Sequence, residues 1–174
     1  MGMFQEVSDM NAAFGNPKGD PTKFIHNEGA VLTATEQQAW DRLEKQCKNI
    51  VAEYRELMDA IAARDVTAVR DALCDINVFS LGAHHLMGHD ADADMHEVVD
   101  ALYSRFCVNQ DHLTQTSDYY MSLGIHHYYE GEFPTKCLKS SHDQGLTVKD
   151  GVEVWEYPKG KFLKALGYRQ PVFK

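Results

Sequence analysis

The chain has 174 residues, 44% of them hydrophobic and 25% charged, the proportions of a globular domain long enough to bury a core without staples. Its formal net charge of −9 argues against a general nucleic-acid coat or an anionic-membrane binder, since both need basic surface. Nucleotides stay admissible, because a bound cation can neutralise their phosphates.

The cysteines, Cys47, Cys74, Cys107 and Cys137, form no CxxC pair, which speaks against a zinc ribbon. Cys47 and Cys74 fall inside helical patterns and read as free buried thiols. No apolar run reaches the ~18 residues of a membrane span. The start, MGMFQEVSDM, lacks the order of a signal peptide. A reducing, cytoplasmic setting is expected.

Phe4, Val7, Met10 and Phe14 make one stripe of a short helix over residues 3–15, followed by the turn-rich GNPKGDP. Residues 22–32 show no clear period. A long helix is expected from Thr35 or Glu36 to about Ala63, with Trp40, Leu43, Cys47, Ile50, Tyr54, Leu57 and Ile61 as its buried seam. A second stripe, Gln46, Asn49, Glu53, Glu56 and Ala60, runs beside that seam. AARDVT then breaks the chain, with Asp65 as a candidate N-cap. The next helix should span Val66 to Met87 and close at Gly88.

Two further helices are expected at about 94–108 and 113–123, ending at Gly124. From Tyr128 on, the turn-rich sequence predicts irregular structure with one hairpin, suggested by VEVWEY. From Pro158 the chain is basic, with Lys159, Lys161, Lys164, Arg169 and Lys174. The expected architecture is therefore all-α: one domain over residues 1–174, with a helical core at about 35–123 and an irregular extension at about 128–174.

Glu53 and Glu56 stand at i,i+3, and Asp71 and Asp75 at i,i+4, so each pair shares a helix face. The short connection predicts antiparallel neighbours, which would bring the two pairs to similar height. Four carboxylates in a small space require a cation, most simply Mg²⁺, or Mn²⁺ in its place. A rival metal site is the His89-Asp90 pair of an HD-type phosphohydrolase, with His26 and Asp111 as further ligands. His85 lies ten residues from Asp75 on the same helix, on the order of 15 Å away, and cannot share its metal. His84 and His85 otherwise read as a polar helix end. His126-His127 and Tyr128-Tyr129 could stack a base or ligate a metal, or form a loop packed on the bundle. There is no GxSxG and no phosphate-binding GxxxxGKS.

The stretch AEYRELMDAIAARDVTAVRDALCDINVFSLGAHHLMGHD resembles the all-α nucleotide pyrophosphohydrolases, the MazG-like and phosphoribosyl-ATP pyrophosphohydrolase-like group, in its phage type. The matching residues are Glu53, Glu56, Leu57, Asp71, Ala72, Leu73, Asp75 and Gly82. VSDMNAAFGNP and YPKGKFLKALGYRQP are similar to the family's N-terminal helix and its ending. The resemblance implies a helical bundle working as a homodimer or homotetramer. It also implies Mg²⁺-dependent cleavage of a nucleoside triphosphate to the monophosphate and pyrophosphate, with no nucleic-acid polymer or membrane as partner. It makes Glu53, Glu56, Asp71 and Asp75 the metal ligands, and Glu53, Glu56 and Asp75 the catalytic set. Arg105 and Lys161 become candidate phosphate contacts, and Asn11 and Phe14 candidates to face the base. Two places depart from the family. Ala72 stands where the second acidic pair often begins, and VVDALYSR carries Leu102 where relatives often have Asn. The alternative is a catalytically divergent helical protein that binds a nucleotide or a partner.

Overall fold

A computed structural model describes residues 2–24 and 31–173. The chain divides into two compact units, Met1–Met95 and His96–Lys174. Among the described residues no helix is long and apolar enough to cross a membrane.

The first unit contains α1 (Met3–Ala13), a 3₁₀ turn (Pro21–Phe24), α2 (Ala34–Ala63) and α3 (Val66–Met87). α2 begins with a capping box: Thr33 accepts from the Glu36 amide while the Glu36 carboxylate accepts from the Thr33 amide. α2 ends at Arg64, which is left-handed (φ 56°). Asp65 then caps α3 by accepting from the amides of Thr67 and Ala68. Two residues thus reverse the chain, and α2 and α3 lie as an antiparallel hairpin. Gly88 (φ 82°) closes α3 in the conformation that a glycine adopts without strain.

The face of α2 that meets α3 is rotated from the expected seam. Leu43, Gln46, Ile50, Glu53 and Leu57 are half-buried and Ala60 is buried, whereas Cys47, Tyr54 and Ile61 are exposed. The apolar surface of this 30-residue helix is wider than one neighbour covers. Cys47 and Cys74 are accordingly exposed rather than buried.

α1 and the loop after it dock on the C-terminal end of α3 through His85, which is 1% exposed. His85 Nε2 lies 2.8 Å from the Asn16 carbonyl and Nδ1 2.8 Å from Ser8 Oγ. A carbonyl only accepts, so Nε2 carries the proton toward Asn16. Gly19 donates its amide to the His85 carbonyl at 2.9 Å. It packs so closely that a Cβ there would overlap the Leu86 carbonyl.

The division between units falls within α4 (Ala91–Tyr103). The second unit continues with α5 (Gln110–Ser122), β1 (His127–Glu130), β2 (Cys137–Ser140), β3 (Gln144–Lys149), β4 (Val152–Tyr157) and β5 (Phe162–Leu163). β1, β2 and β5 form an antiparallel sheet in that order, with Tyr129 opposite Leu138 and Leu138 opposite Leu163. β3 and β4 form a hairpin turned by Asp150 and Gly151, both at positive φ (51° and 77°), as a type I′ turn requires. Leu113 and Tyr120 of α5 join Cys107, Ile125, Leu138, Leu163 and Ala165 in a core.

The fold is thus not all-α. The expected irregular extension after residue 127 carries two small sheets. The hairpin expected from VEVWEY is present as β3–β4, but the strands of the other sheet, two to four residues long, are too short for alternation to register, and β2 finds β5 across more than twenty residues of chain. The two earlier helices also shift: Ala91–Tyr103 replaces 94–108, because Asp90 caps α4 by accepting from the Asp92 and Ala93 amides, and Gln110–Ser122 replaces 113–123, because Asn109 caps α5 by accepting from the His112 amide.

Candidate functional site

The α2–α3 hairpin encloses a cleft of about 360 Å³ beside its turn. Glu53, Glu56, Asp71 and Asp75 all line it, together with Asp59, Asp65, Ala60 and Ala72, and no Lys or Arg contributes to its walls. Antiparallel packing is what assembles it. Glu53 and Asp75 are half-buried, while Glu56 and Asp71 are exposed. Ala72 is buried in the helix contact, while Asp71 stands on the rim of the cleft. Small residues at 60 and 72 let the helix backbones approach and leave the space that the carboxylates border.

The acids sense one another. Burial, and then the charges of Glu56, Asp75 and Asp71, push the Glu53 carboxyl above its ordinary range. Among the described residues, no group of three or more His, Cys, Asp or Glu side chains is arranged to hold a metal ion as it stands. Without a counter-ion, like charges gain by spreading apart. The donor set of carboxylates alone, with no cation in the walls, fits a hard divalent ion.

A second pocket of about 240 Å³ is lined by Asn11, Asn16, Arg42, Lys45, Gln46, Asn49 and Leu86. On α2, residues 42, 46, 49, 53, 56 and 60 recur every three or four positions, so both pockets lie on one face. Sequence reading marked Asn11 but not Arg42 or Lys45. The signal was present: the stripe that carries Glu53 and Glu56 runs back through Asn49 and Gln46 to Arg42.

Phe14 is 75% exposed and is not among the residues lining this pocket. Arg105 and Lys161 belong to the second unit. The Arg105 guanidinium lies over the Tyr168 ring at 5.4 Å. Lys161 donates to the Glu156 carbonyl and sits over Tyr157. Leu102 is exposed on α4.

The rival histidine sites are otherwise engaged. Asp90 of the HD pair is a helix cap, His26 lies outside the described residues, and Asp111 is exposed in the first turn of α5. His85 spends both ring nitrogens on the α1 latch. His127 spends its own on Ser117 Oγ (2.9 Å) and the Ile125 carbonyl (3.1 Å). Its segment is strand β1 rather than a loop.

No protein-family model matches the chain, and no curated protein matches it in sequence.

Proposed function

We propose that the protein is a Mg²⁺-dependent nucleoside triphosphate pyrophosphohydrolase, cleaving a triphosphate between its α and β phosphorus atoms and working on cytoplasmic nucleotides. The observation that carries this reading is the cleft itself, where four carboxylates from two antiparallel helices share one space without a neutralising side chain. Glu53, Glu56, Asp71 and Asp75 would hold the ion, which when bound neutralises phosphate charge and makes a coordinated water more acidic.

The chain's own residues do the rest. Glu53 and Asp75, half-buried between the helices, orient what binds between them. Glu53 is also the carboxylate whose proton affinity burial and its neighbours raise. One of the cleft carboxylates takes the proton from water as the water oxygen bonds to the α-phosphorus. The bond from that phosphorus to the bridging oxygen breaks, and pyrophosphate leaves with the electron pair. No covalent nucleophile is needed.

The active form is a homodimer or homotetramer. Cys47, Val51, Tyr54, Met58 and Ile61 recur at 4-3-4-3 spacing on the exposed side of α2, with Tyr54 55% and Ile61 51% exposed. This is the pattern of a helix awaiting another helix.

The second reading is a silent nucleotide binder, favoured by the lack of a ready metal cage among the described residues. Pyrophosphate release separates the two. With Mg²⁺ and a panel of nucleoside triphosphates, the enzyme releases pyrophosphate, and Glu53→Gln and Asp75→Asn each reduce the rate at least a hundredfold. Absence of release from every triphosphate, or full activity in Glu53→Gln, overturns the enzymatic reading.

A further inference from the structure

The β3–β4 hairpin is held at its base and bare beyond it. At the base, Gln144 is buried and exchanges hydrogen bonds with the backbone of His126, and Tyr157 packs on the core. Further out, Leu146, Val148, Val152 and Trp155 are all exposed, Val148 by 64%. Leu146 stands opposite Trp155, and Val148 follows Leu146 by two residues, so these three share one face. A two-stranded hairpin has little stability of its own in water, and a bare apolar face on one calls for a cover.

The backbone leaves an edge open beside that face. Lys149 and Val152 flank the two-residue turn and exchange hydrogen bonds, and by alternation Thr147 and Val154 do the same. The N–H and C=O groups of Leu146 and Val148 therefore point away from β4. Among the described residues no third strand pairs with β3. On β4 the groups of Glu153 and Trp155 point outward in the same way. The two edges differ in charge: QGLTVK carries one lysine and no acid, whereas VEVWEY carries Glu153 and Glu156.

We propose that β3 pairs antiparallel with β3 of a second copy of this chain, about a two-fold axis at Thr147. Leu146 of each copy then exchanges hydrogen bonds with Val148 of the other, so the outward groups of both residues are satisfied. On the apolar face, each row across the four-stranded sheet runs Trp155, Leu146, then Val148 and Glu153 of the second copy. The two apolar patches become one.

The opposite face supplies the charge match that favours a second copy over an unrelated strand. Lys149 falls opposite Gly145 of the second copy, with Glu156 of that copy one strand further. Gly145 and Glu156 are neighbours on this face, since a Cβ on Gly145 would lie 3.3 Å from the Glu156 Cβ. The bare glycine lets the Lys149 side chain cross toward the Glu156 carboxylate, over about 10 Å of sheet. Lys149 forms no ion pair in its own chain among the described residues. Pairing through β4 would instead set the two Glu153 side chains diagonally across the axis, where like charges repel. The contact is separate from the α2 stripe and independent of the phosphate-cleaving reading.

Disulfide trapping tests the register. A Cys47→Ser, Cys74→Ser background removes the exposed thiols. Thr147→Cys then places a thiol at the axis, where opposed Cβ atoms are about 4.5–5.5 Å apart. In oxidised glutathione, which takes up the two electrons and two protons that the thiols lose, a linked dimer should form on a non-reducing gel. Val154→Cys, at the matching position on β4, lies three strand spacings or about 14 Å from its mate and should link at least about tenfold more slowly.

Sedimentation velocity gives a second readout. In an Ile61→Glu background, where α2 cannot hold copies together, the chain should run as a dimer that Val148→Lys dissolves. Val148 is exposed, so the lysine burdens folding little. In a Trp40→Phe chain, the same substitution should shift Trp155 emission to longer wavelength. Linking at 154 as fast as at 147, no linking at either position, or a sedimentation coefficient untouched by Val148→Lys would overturn the proposal.

Discussion

Replacing Glu53 by Gln should make the metal-free protein more stable while removing its activity. Glu53 is half-buried against α3, and burial together with Glu56, Asp75 and Asp71 raises its carboxyl above the ordinary range. A group raised on folding contributes stability that is full below its unfolded pKa and is lost as pH rises through the folded value. In the metal-free hairpin folding therefore disfavours the ionised form of Glu53, and a neutral amide of the same shape relieves it. Mg²⁺ reverses the balance. At a free concentration a hundredfold above Kd, linkage adds about 2.7 kcal/mol. The carboxylates belong to the unit Met1–Met95. For a unit of that size, 1 kcal/mol shifts Tm by roughly 4–8 °C, so the midpoint should rise by more than about 10 °C. Trp40 and Trp155 are the two tryptophans, one in each unit, so a Trp155→Phe background lets Trp40 fluorescence report the first unit alone. In EDTA at pH 7 the Glu53→Gln midpoint should exceed that of the parent, with the gap narrowing as pH falls toward the ordinary glutamate range. Its response to Mg²⁺ should be smaller. A lower midpoint in EDTA combined with an undiminished response to Mg²⁺ would refute the electrostatic reasoning.

Three other outcomes follow from the packing. Ile61→Glu, on the exposed apolar stripe of α2, should reduce the size of the oligomer in sedimentation velocity while helicity is retained, and an unchanged sedimentation coefficient would remove the assembly claim. Leu138→Ala, at the centre of the second unit's core, should cost about 2–5 kcal/mol in chemical denaturation of that unit. Gly19→Ala should release the loop from the end of α3, because its Cβ would meet backbone rather than a movable side chain. Faster hydrogen exchange at the Gly19 amide is the readout, and native protection there would contradict the tight approach.

The hairpin that carries the candidate site was legible because its punctuation is local. Asp65 and Gly88 mark the bounds of α3 residue for residue, and the spacing of Glu53, Glu56, Asp71 and Asp75 placed all four on one cleft. The orientation of α2 was less legible. Its large apolar side chains span an arc wider than one neighbouring helix covers, so periodicity fixes that there is a buried face without fixing which neighbour covers which part. Glu53 consequently stands within the contact with α3 rather than alongside it. The second unit was hidden for a different reason. Its longest strands have six residues and its central sheet joins segments far apart in the chain. One part was legible: the alternation of VEVWEY marked a hairpin, which β3 and β4 form around Asp150-Gly151. Arg42 and Lys45 were missed because surface cations on a helix ordinarily carry no message. It is Asn11 and Asn16, brought beside them by α1 and the loop after it, that make their surroundings a pocket.

The most direct test of the account is the identity of the products. With the full chain, Mg²⁺ and a nucleoside triphosphate in ¹⁸O-enriched water, ³¹P NMR should show monophosphate and pyrophosphate accumulating together, with the label on the monophosphate alone. Appearance of the diphosphate and inorganic phosphate, or label on the pyrophosphate, would contradict attack at the α-phosphorus and with it the role given to the acidic cleft.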